Sequence, residues 1–180
     1  FFDWPYDANY VGNWKNGKMH GYGTFSFSSG AKYTGDWKNG DMHGNGTYSY
    51  YTGSIFNGTL DSDILDGKGV YTTKNGYKYS GDFKNENFVG KGKETFPDGR
   101  EYEGDFQADK RHGEGVFSNS TGDRYIGSWN YGKKHGLGTQ KFENGSIYLG
   151  EWYEGNIHGH GMMIKADEQK IYGNWFDSLL

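Results

Sequence analysis

The histidines are the residues best suited to bind a metal or transfer a proton, and five of the six recur at multiples of 23 residues. These five are His20, His43, His112, His135 and His158. If each period forms one two-stranded unit, equivalent histidines lie about 9.6 Å apart, whereas zinc requires each nitrogen ligand within about 2.1 Å. The spacing therefore favours histidines that bond to the backbone of a turn. His158 and His160 could share one strand face but have no nearby third ligand, so we predict no metal site.

No other grouping of polar residues has the spacing of a catalytic or cofactor site. Asp61, Asp63 and Asp66 do not continue into the glutamate that completes a calcium loop. The glycines do not lead into the Lys-Ser/Thr ending and helix of a phosphate-binding loop, and no serine has a placed histidine and aspartate. The absence of cysteine removes disulfides and thiolate ligands. We therefore predict no enzymatic activity and no cofactor.

The composition predicts a thin β structure rather than a thick globular core. Only 33% of the residues are apolar, whereas 19% are aromatic and 32 of the 180 residues are glycines. This aromatic content argues against disorder. A net charge of −4 does not favour nucleic acid or an anionic membrane as a partner. No apolar run approaches the roughly 20 residues that a membrane helix needs.

A repeat of 23 residues organises the whole chain. Its first column holds an aromatic or apolar residue: Tyr10, Tyr33, Phe56, Tyr79, Tyr102, Tyr125, Tyr148 and Ile171. Glycine follows two residues later in every repeat, and a large apolar residue follows four later: Trp14, Trp37, Leu60, Phe83, Phe106, Trp129, Trp152 and Trp175. The remaining glycines fall on four further columns of the same repeat. This regularity predicts identical structural units stacked along the chain.

The unit reads Tyr-x-Gly-x-Trp-x-x-Gly-x-x-His-Gly-x-Gly, as in residues 10–17 followed by 20–23. It resembles the MORN repeat (membrane occupation and recognition nexus), and the resemblance covers nearly the whole chain. The predicted segments are 1–9 for the end of a preceding partial repeat, 10–32, 33–55, 56–78, 79–101, 102–124, 125–147 and 148–170 for seven repeats, and 171–180 for the first strand of an eighth. Phe2 and Trp4 occupy second-strand ring positions of the preceding repeat.

Alternating apolar and polar residues predict that each repeat is a β-hairpin. The fold class is therefore all-β, an elongated single-layer twisted antiparallel meander in which the rings of one strand lie over glycines. We expect one aromatic face that curves into a groove and one charged face. Unpaired strands at both ends predict end-to-end association into a homo-oligomer.

Two surfaces are candidates for binding a partner. The aromatic groove would be lined by Tyr10, Trp14, Tyr33, Trp37, Phe56, Leu60, Tyr79, Phe83, Tyr102, Phe106, Tyr125, Trp129, Tyr148 and Trp152. A lipid surface would meet basic residues near the hairpin tips: Lys15, Lys18, Lys110, Arg111, Lys133 and Lys134. Acidic residues at matching tips offset this second attraction. The repeats with Leu60, Phe83 and Phe106 in place of tryptophan are expected to widen or bend the groove and set its specificity.

We predict a non-enzymatic scaffold that binds a helix or peptide of a protein partner along the aromatic groove. Membership of the MORN family implies a cytoplasmic protein that organises a cytoskeletal or membrane-associated assembly, often with dimerisation. Two alternatives remain: a phosphoinositide-binding or phospholipid-binding module, and a regulatory or targeting segment of a larger enzyme. Nucleic acid is not expected as a partner.

Overall fold

A computed structural model describes residues 7–177, and its secondary structure there consists of fifteen β-strands joined by turns. The predicted all-β meander of hairpins is confirmed. The chain divides into two compact units, residues 1–87 and 88–180. Phe2 and Trp4, assigned above to a preceding repeat, lie outside the described residues. Residues 7–177 include no helix with the length and apolarity required to cross a bilayer.

The first unit contains seven complete strands, and each pairs antiparallel with the next along the chain. They are β1 (Asn9–Lys15), β2 (Lys18–Ser26), β3 (Lys32–Lys38), β4 (Asp41–Ser49), β5 (Ile55–Asp61), β6 (Ile64–Thr72) and β7 (Lys78–Lys84). Odd-numbered strands are the first strands of repeats, and even-numbered strands are the second strands.

The second unit holds the remaining strands in the same antiparallel order. They are β8 (Asn87–Thr95), β9 (Glu101–Gln107), β10 (Lys110–Ser118), β11 (Arg124–Asn130), β12 (Lys133–Lys141), β13 (Ile147–Tyr153), β14 (Asn156–Ile164) and β15 (Lys170–Trp175). β8 begins at the last residue of the first unit.

Tight two-residue turns join the strands within a repeat. Asn16 and Gly17 have φ angles of 51° and 72°, and both central residues of the later turns are also left-handed. This is the type I′ geometry, whose twist matches that of the paired strands. Asp63 and Asp109 occupy the glycine position of their turns, and the carboxylate of each accepts a 2.7 Å hydrogen bond from a backbone N–H of the preceding repeat.

The glycine columns allow the first-strand rings to lie flat on the backbone. A Cβ atom added at Gly35 would lie 2.5 Å from both the Gly46 Cα and the Tyr33 hydroxyl. The Tyr33 hydroxyl in turn donates to the carbonyls of Asp36, at 2.9 Å, and His43, at 3.3 Å. The predicted packing of rings on glycines is therefore confirmed, and it removes the ring from solvent without a second layer of structure.

Tryptophans fill the space between successive tyrosines. The Trp37 ring meets Tyr33 of its own repeat at 5.1 Å and Tyr10 of the preceding repeat at 5.4 Å, edge to face in both cases. Its indole N–H donates to the Gly23 carbonyl at 3.2 Å. Trp129 is held in the same way by Tyr125 and Tyr102, at 5.3 and 5.1 Å. Edge-to-face pairs of this kind add to the free energy of simple burial.

Candidate functional site

The inner face of each unit is the sheet face that carries the tyrosine and tryptophan columns, and the outer face is the opposite one. Residues directly opposite each other on paired strands share a face. Tyr33 stands opposite both Phe25 and Tyr48, so the second-strand rings also belong to the inner face. The inner face therefore combines the tyrosine and tryptophan columns of the first strand with the ring columns of the second.

The residues predicted to line a groove form the core of the inner face. Six of them have no exposed surface: Tyr33, Phe56, Tyr79, Tyr102, Tyr125 and Tyr148. Burial also raises the pKa of the Tyr33, Tyr102 and Tyr125 phenols. The exceptions lie on the first described strand, where Tyr10 is half-buried and Trp14 is 51% exposed. Binding along this face stays a prediction, but a partner cannot touch these six rings directly.

A row of second-strand rings in the first unit is accessible instead. The ring row comprises Phe25, Phe27, Tyr48, Tyr50 and Tyr71, with successive centroids 4.6, 5.8, 4.7 and 6.0 Å apart. Phe25 is buried, and the other four are half-buried. Burial raises the pKa of Tyr50 to about 12. Its hydroxyl, like that of any tyrosine, is a neutral donor and acceptor at ordinary pH. The ring row is a continuous aromatic surface with polar hydroxyls.

None of these second-strand rings is among the predicted groove residues, which all lie on first strands. The available signal was their position 15 or 17 residues after the first-column residue. Rings at those positions follow a glycine column instead of preceding one, so no glycine pair lies beneath them. They consequently stand on the sheet, and all of them except Phe25 remain in contact with solvent.

The same positions in the second unit carry a mixture of rings and polar side chains: Glu94, Phe96, Phe117, Asn119, Gln140, Phe142, Met163 and Lys165. Glu94 and Gln140 are 8% and 3% exposed. Because polar residues stand between these rings, the second unit has no continuous aromatic surface equivalent to the ring row. The two inner faces therefore have the same packing of first-strand rings but different second-strand side chains above it.

Arg111 and Glu94 form an ion pair on the inner face of the second unit. Their side chains approach to 2.8 Å and are only 18% and 11% exposed. The guanidinium also lies 4.9 Å from the Tyr102 ring, 5.1 Å from Phe117 and 5.4 Å from Trp129. Arg111 replaces the Met42 or Leu65 of the first unit, so a charge with its own partner takes the place of an apolar side chain.

Lys134 occupies the equivalent position one repeat further on. Its ammonium lies 5.0 Å from the Tyr125 ring and 4.7 Å from the Trp152 ring, and it donates to the Gln140 side-chain carbonyl at 2.5 Å. Burial lowers the pKa of this amine. The ring faces, the amide and the more distant Asp123 carboxylate thus stabilise the positive charge of Lys134.

The six predicted lipid-contact residues do not form one surface. Lys15, Lys18, Lys110 and Lys133 are exposed, whereas Arg111 and Lys134 point onto the inner face. Lys133 is paired with Glu154 at 2.6 Å, and this contact holds the pKa of the Glu154 carboxyl below its usual value. The structure separates the basic residues because neighbouring positions on a strand face opposite sides.

Two of the five repeated histidines bond the backbone of a turn, but this is the turn of the following repeat and not the turn of their own hairpin. The Nδ1 atoms of His20 and His112 accept hydrogen bonds from the backbone N–H groups of Asn39 and Tyr131, at 3.4 and 3.5 Å. These two histidines join one repeat to the tight turn of the next.

The imidazole of His43 instead lies 3.2 Å from the Asp61 carboxylate, and the Nδ1 atoms of His135 and His158 are buried without a hydrogen-bond partner in the described part of the chain. Among residues 7–177, no group of three potential ligands is arranged to hold a metal ion.

The repeats without tryptophan keep the same inner-face packing. Leu60 and Phe83 are each 3% exposed, and Phe106 is 4% exposed. Phe83 meets Tyr79 at 5.2 Å and Phe56 at 5.1 Å, which reproduces the edge-to-face arrangement of the tryptophans. Their proposed effect on groove width and partner specificity stays a prediction.

The repeating hairpins, the tyrosine-on-glycine core and the type I′ turns define one class of protein. A family model of the MORN repeat matches residues 10–32, 33–55, 56–76, 79–99, 102–124, 125–147 and 148–170. The chain therefore belongs to the MORN-repeat family. No curated protein sequence matches it at a significant level.

Comparison with solved structures finds a domain of similar fold. The TCP domain of SAS-4 (dCPAP) from Drosophila melanogaster, solved with a proline-rich motif of Ana2 (dSTIL), is 11% identical and has a TM-score of 0.54, with 93% of this chain and 90% of that one covered. The TCP10 domain of CPAP from Danio rerio is 13% identical over 98% of both chains, with a TM-score of 0.33. At this identity the first likeness concerns the fold alone, and the second supports no structural inference.

Proposed function

We propose that this chain is a non-enzymatic scaffold module that binds an extended, proline-containing segment of a protein partner on the ring row of the first unit. The observation that carries the proposal is the continuous series of half-buried rings from Phe27 to Tyr71. Aromatic-lined surfaces bind polyproline II segments because such segments are already extended and lose little entropy on binding.

The hydroxyls of the ring row suit an extended partner. A segment without internal hydrogen bonds brings unpaired carbonyls to the surface that it covers, and these must find donors. Tyr48, Tyr50 and Tyr71 supply phenolic O–H groups beside the rings. The Drosophila TCP domain, which is similar in fold and was solved in complex with a proline-rich motif, supports the same mode of binding.

The proposal extends to the setting of the protein. As a scaffold of the MORN family, it would act in the cytoplasm and organise a cytoskeletal or membrane-associated assembly. A phospholipid-binding module is less well supported, because Lys133 is neutralised by Glu154 and two of the six basic residues face inward.

The test uses an array of synthetic proline-rich peptides, with scrambled and proline-to-alanine versions, followed by titration of the best peptide in solution. The double substitution Tyr48→Ala and Tyr50→Ala should weaken binding by roughly tenfold or more, because truncating central aromatic contacts commonly has this effect. Phe142→Ala is the matched control, since it removes a ring from the position equivalent to Tyr50 in the second unit. Binding that survives the double substitution, or no binding to any proline-rich peptide, would overturn the proposal.

A further inference from the structure

The outer face of the second unit carries a row of residues that runs across six strands and is apolar except at Thr139. Consecutive cross-strand pairs join Val116 to Ile126, Ile126 to Thr139, Thr139 to Leu149, Leu149 to Met162 and Met162 to Tyr172. We call these six residues the outer row. Ile126, Leu149 and Tyr172 are 43%, 37% and 70% exposed, and the neighbouring Leu137 is 70% exposed.

The equivalent positions of the first unit are mostly polar. Thr24, Thr34, Thr47 and Asn57 are consecutive cross-strand neighbours there. Two of the pairs are hydrogen-bonded, Thr24 to Thr34 at 3.0 Å and Asn57 to Thr47 at 3.3 Å. The fold therefore accepts polar residues at these positions, and the apolar outer row is not needed to build the sheet. Contiguous exposed apolar surface of this kind marks binding sites.

Charges of opposite sign flank the outer row. Arg124 and Lys141 lie on one side of the row, each two residues along its strand from a residue of the row. Both are exposed, and they are direct cross-strand neighbours. On the other side lie Glu114 and Glu151, the first exposed and the second with a side chain 47% exposed. A partner that covers the row must present acidic groups on one flank and basic groups on the other.

The backbone of the partner must satisfy its own hydrogen bonds. The strands of the outer row are already paired with their neighbours, and the hydroxyls of Thr139 and Tyr172 are the hydrogen-bonding groups among its six side chains. An extended segment laid across them would leave N–H and carbonyl groups unpaired, at a free-energy cost for each. An α-helix satisfies these groups internally. Five strand spacings give a length of roughly 24 Å, which a helix of about 16 residues spans.

We infer that the outer row is a docking site for an amphipathic α-helix of a partner protein. The helix has an apolar stripe at i, i+3, i+4 and i+7 spacing. Its acidic flank meets Arg124 and Lys141, and its basic flank meets Glu114 and Glu151. A shallow depression lined by Leu149, His160, Met162 and Tyr172, among others, receives one large side chain at one end of the stripe.

The test is a selection of helical peptides from a phage-displayed library of random segments about 16 residues long. The library is selected on the wild-type chain and counter-selected on the Ile126→Thr/Leu149→Asn variant, which copies Thr34 and Asn57 of the first unit. Threonine is well tolerated in strands, and circular dichroism with thermal unfolding checks that the variant keeps its fold. Thr34→Ala is the matched control on the first unit.

The expected result is a set of peptides with the helical apolar spacing and one acidic flank. Synthetic versions should lose roughly tenfold or more of their affinity for the Ile126→Thr/Leu149→Asn variant, as expected when central apolar contacts are removed. Lys141→Glu should also weaken binding of peptides with an acidic flank, and Thr34→Ala should not. Enrichment of proline-rich or strictly alternating peptides, or no enrichment that depends on Ile126 and Leu149, would overturn the inference.

Two further measurements test whether the outer row binds a membrane or a second copy of this chain. Flotation with vesicles of phosphatidylcholine and phosphatidylserine that is lost in the Ile126→Thr/Leu149→Asn variant would point to a membrane and contradict the helix. A dimer in sedimentation experiments that the same variant dissociates would point to a second copy of this chain. The ring row is untouched by these substitutions, so the result is independent of the proposed peptide-binding function.

Discussion

The inner faces of the two units share their first-strand residues and differ in their second-strand residues. Tyrosine or phenylalanine over paired glycines builds both, with Tyr33 and Tyr125 equally buried. In the first unit, the second strands then add the ring row. In the second unit they add the Arg111–Glu94 pair and Lys134 beside isolated rings. Repeats can thus keep one core while each unit acquires its own surface.

On the outer faces, the second unit and not the first carries the row of accessible apolar residues. The first unit carries hydrogen-bonded threonines where the second carries the exposed Ile126 and Leu149. Aromatic surface is thus concentrated on the inner face of the first unit, and aliphatic surface on the outer face of the second. This contrast suggests that the two units bind partners of different chemistry, and the following predictions test it.

The largest effect should come from the part of the structure that both units share. Gly35→Ala in the first unit and Gly104→Ala in the second each place a Cβ 2.5 Å from the neighbouring glycine Cα. Because backbone must shift, each should lower the free energy of unfolding by about 4 kcal/mol. Chemical denaturation measures both. A loss in only one unit would show that the tyrosine-on-glycine core is not equally important in the two.

A somewhat smaller effect should distinguish the second unit. Glu94→Ala leaves Arg111 in a largely buried position without its carboxylate, which should cost about 3 kcal/mol of unfolding free energy. The double substitution Glu94→Phe with Arg111→Met copies Phe25 and Met42 of the first unit, and should restore most of that loss. If the double variant is as unstable as Glu94→Ala, the two inner faces are not interchangeable, and the ion pair has a structural role of its own.

A gain of about 1 kcal/mol is expected from Glu86→Gly in a tight turn of the first unit. Glu86 has a φ angle of 67°, a left-handed conformation that costs an ordinary residue about this much relative to glycine. Asp63→Gly relieves the same strain but loses the bond from the Met42 N–H to the Asp63 carboxylate, so it should give no gain. Thermal unfolding compares them, and equal gains would show that the carboxylate bond contributes nothing.

The smallest effect concerns the alkaline stability of the ring row. The folded state raises the pKa of Tyr50 to about 12 from 10.0, mainly through burial. The neutral phenol therefore contributes its full stability below pH 10.0, and the contribution is lost as pH rises through about 12. Tyr50→Phe should flatten the fall in stability over that range without changing its value at neutral pH. Denaturation at several pH values measures the slope, and an unchanged slope would contradict the assignment.

The repeat, the strands and the role of the glycines could be predicted from the sequence. Each depends on local rules: alternation predicts strands, Asn-Gly predicts a tight turn, and a glycine beneath a ring explains the invariant columns. The accessible surface could not be predicted from these rules. Most of the residues named as groove residues are buried, either on glycines or between neighbouring rings, whereas Phe27 and Tyr50 remain in contact with solvent.

The positions of Arg111 and Lys134 show the same limit. Their neighbours Lys110 and Lys133 suggested paired basic residues at hairpin tips, but alternate residues of a strand face opposite sides. One residue of each pair is therefore exposed, and the other lies among aromatic rings. Cross-strand register decides which side chains become their neighbours, and the register is set over pairs of strands rather than within one repeat.

The sequence by itself determined the hairpin unit, its number of residues and its family, because periodic spacing and turn chemistry act within one repeat. Only the tertiary structure decided which rings remain accessible, which charges meet and where the outer row forms. Those features arise from contacts between successive repeats, such as Glu94 with Arg111 and Ile126 with Val116. Side chains 10 to 17 residues apart become neighbours only when the strands pair.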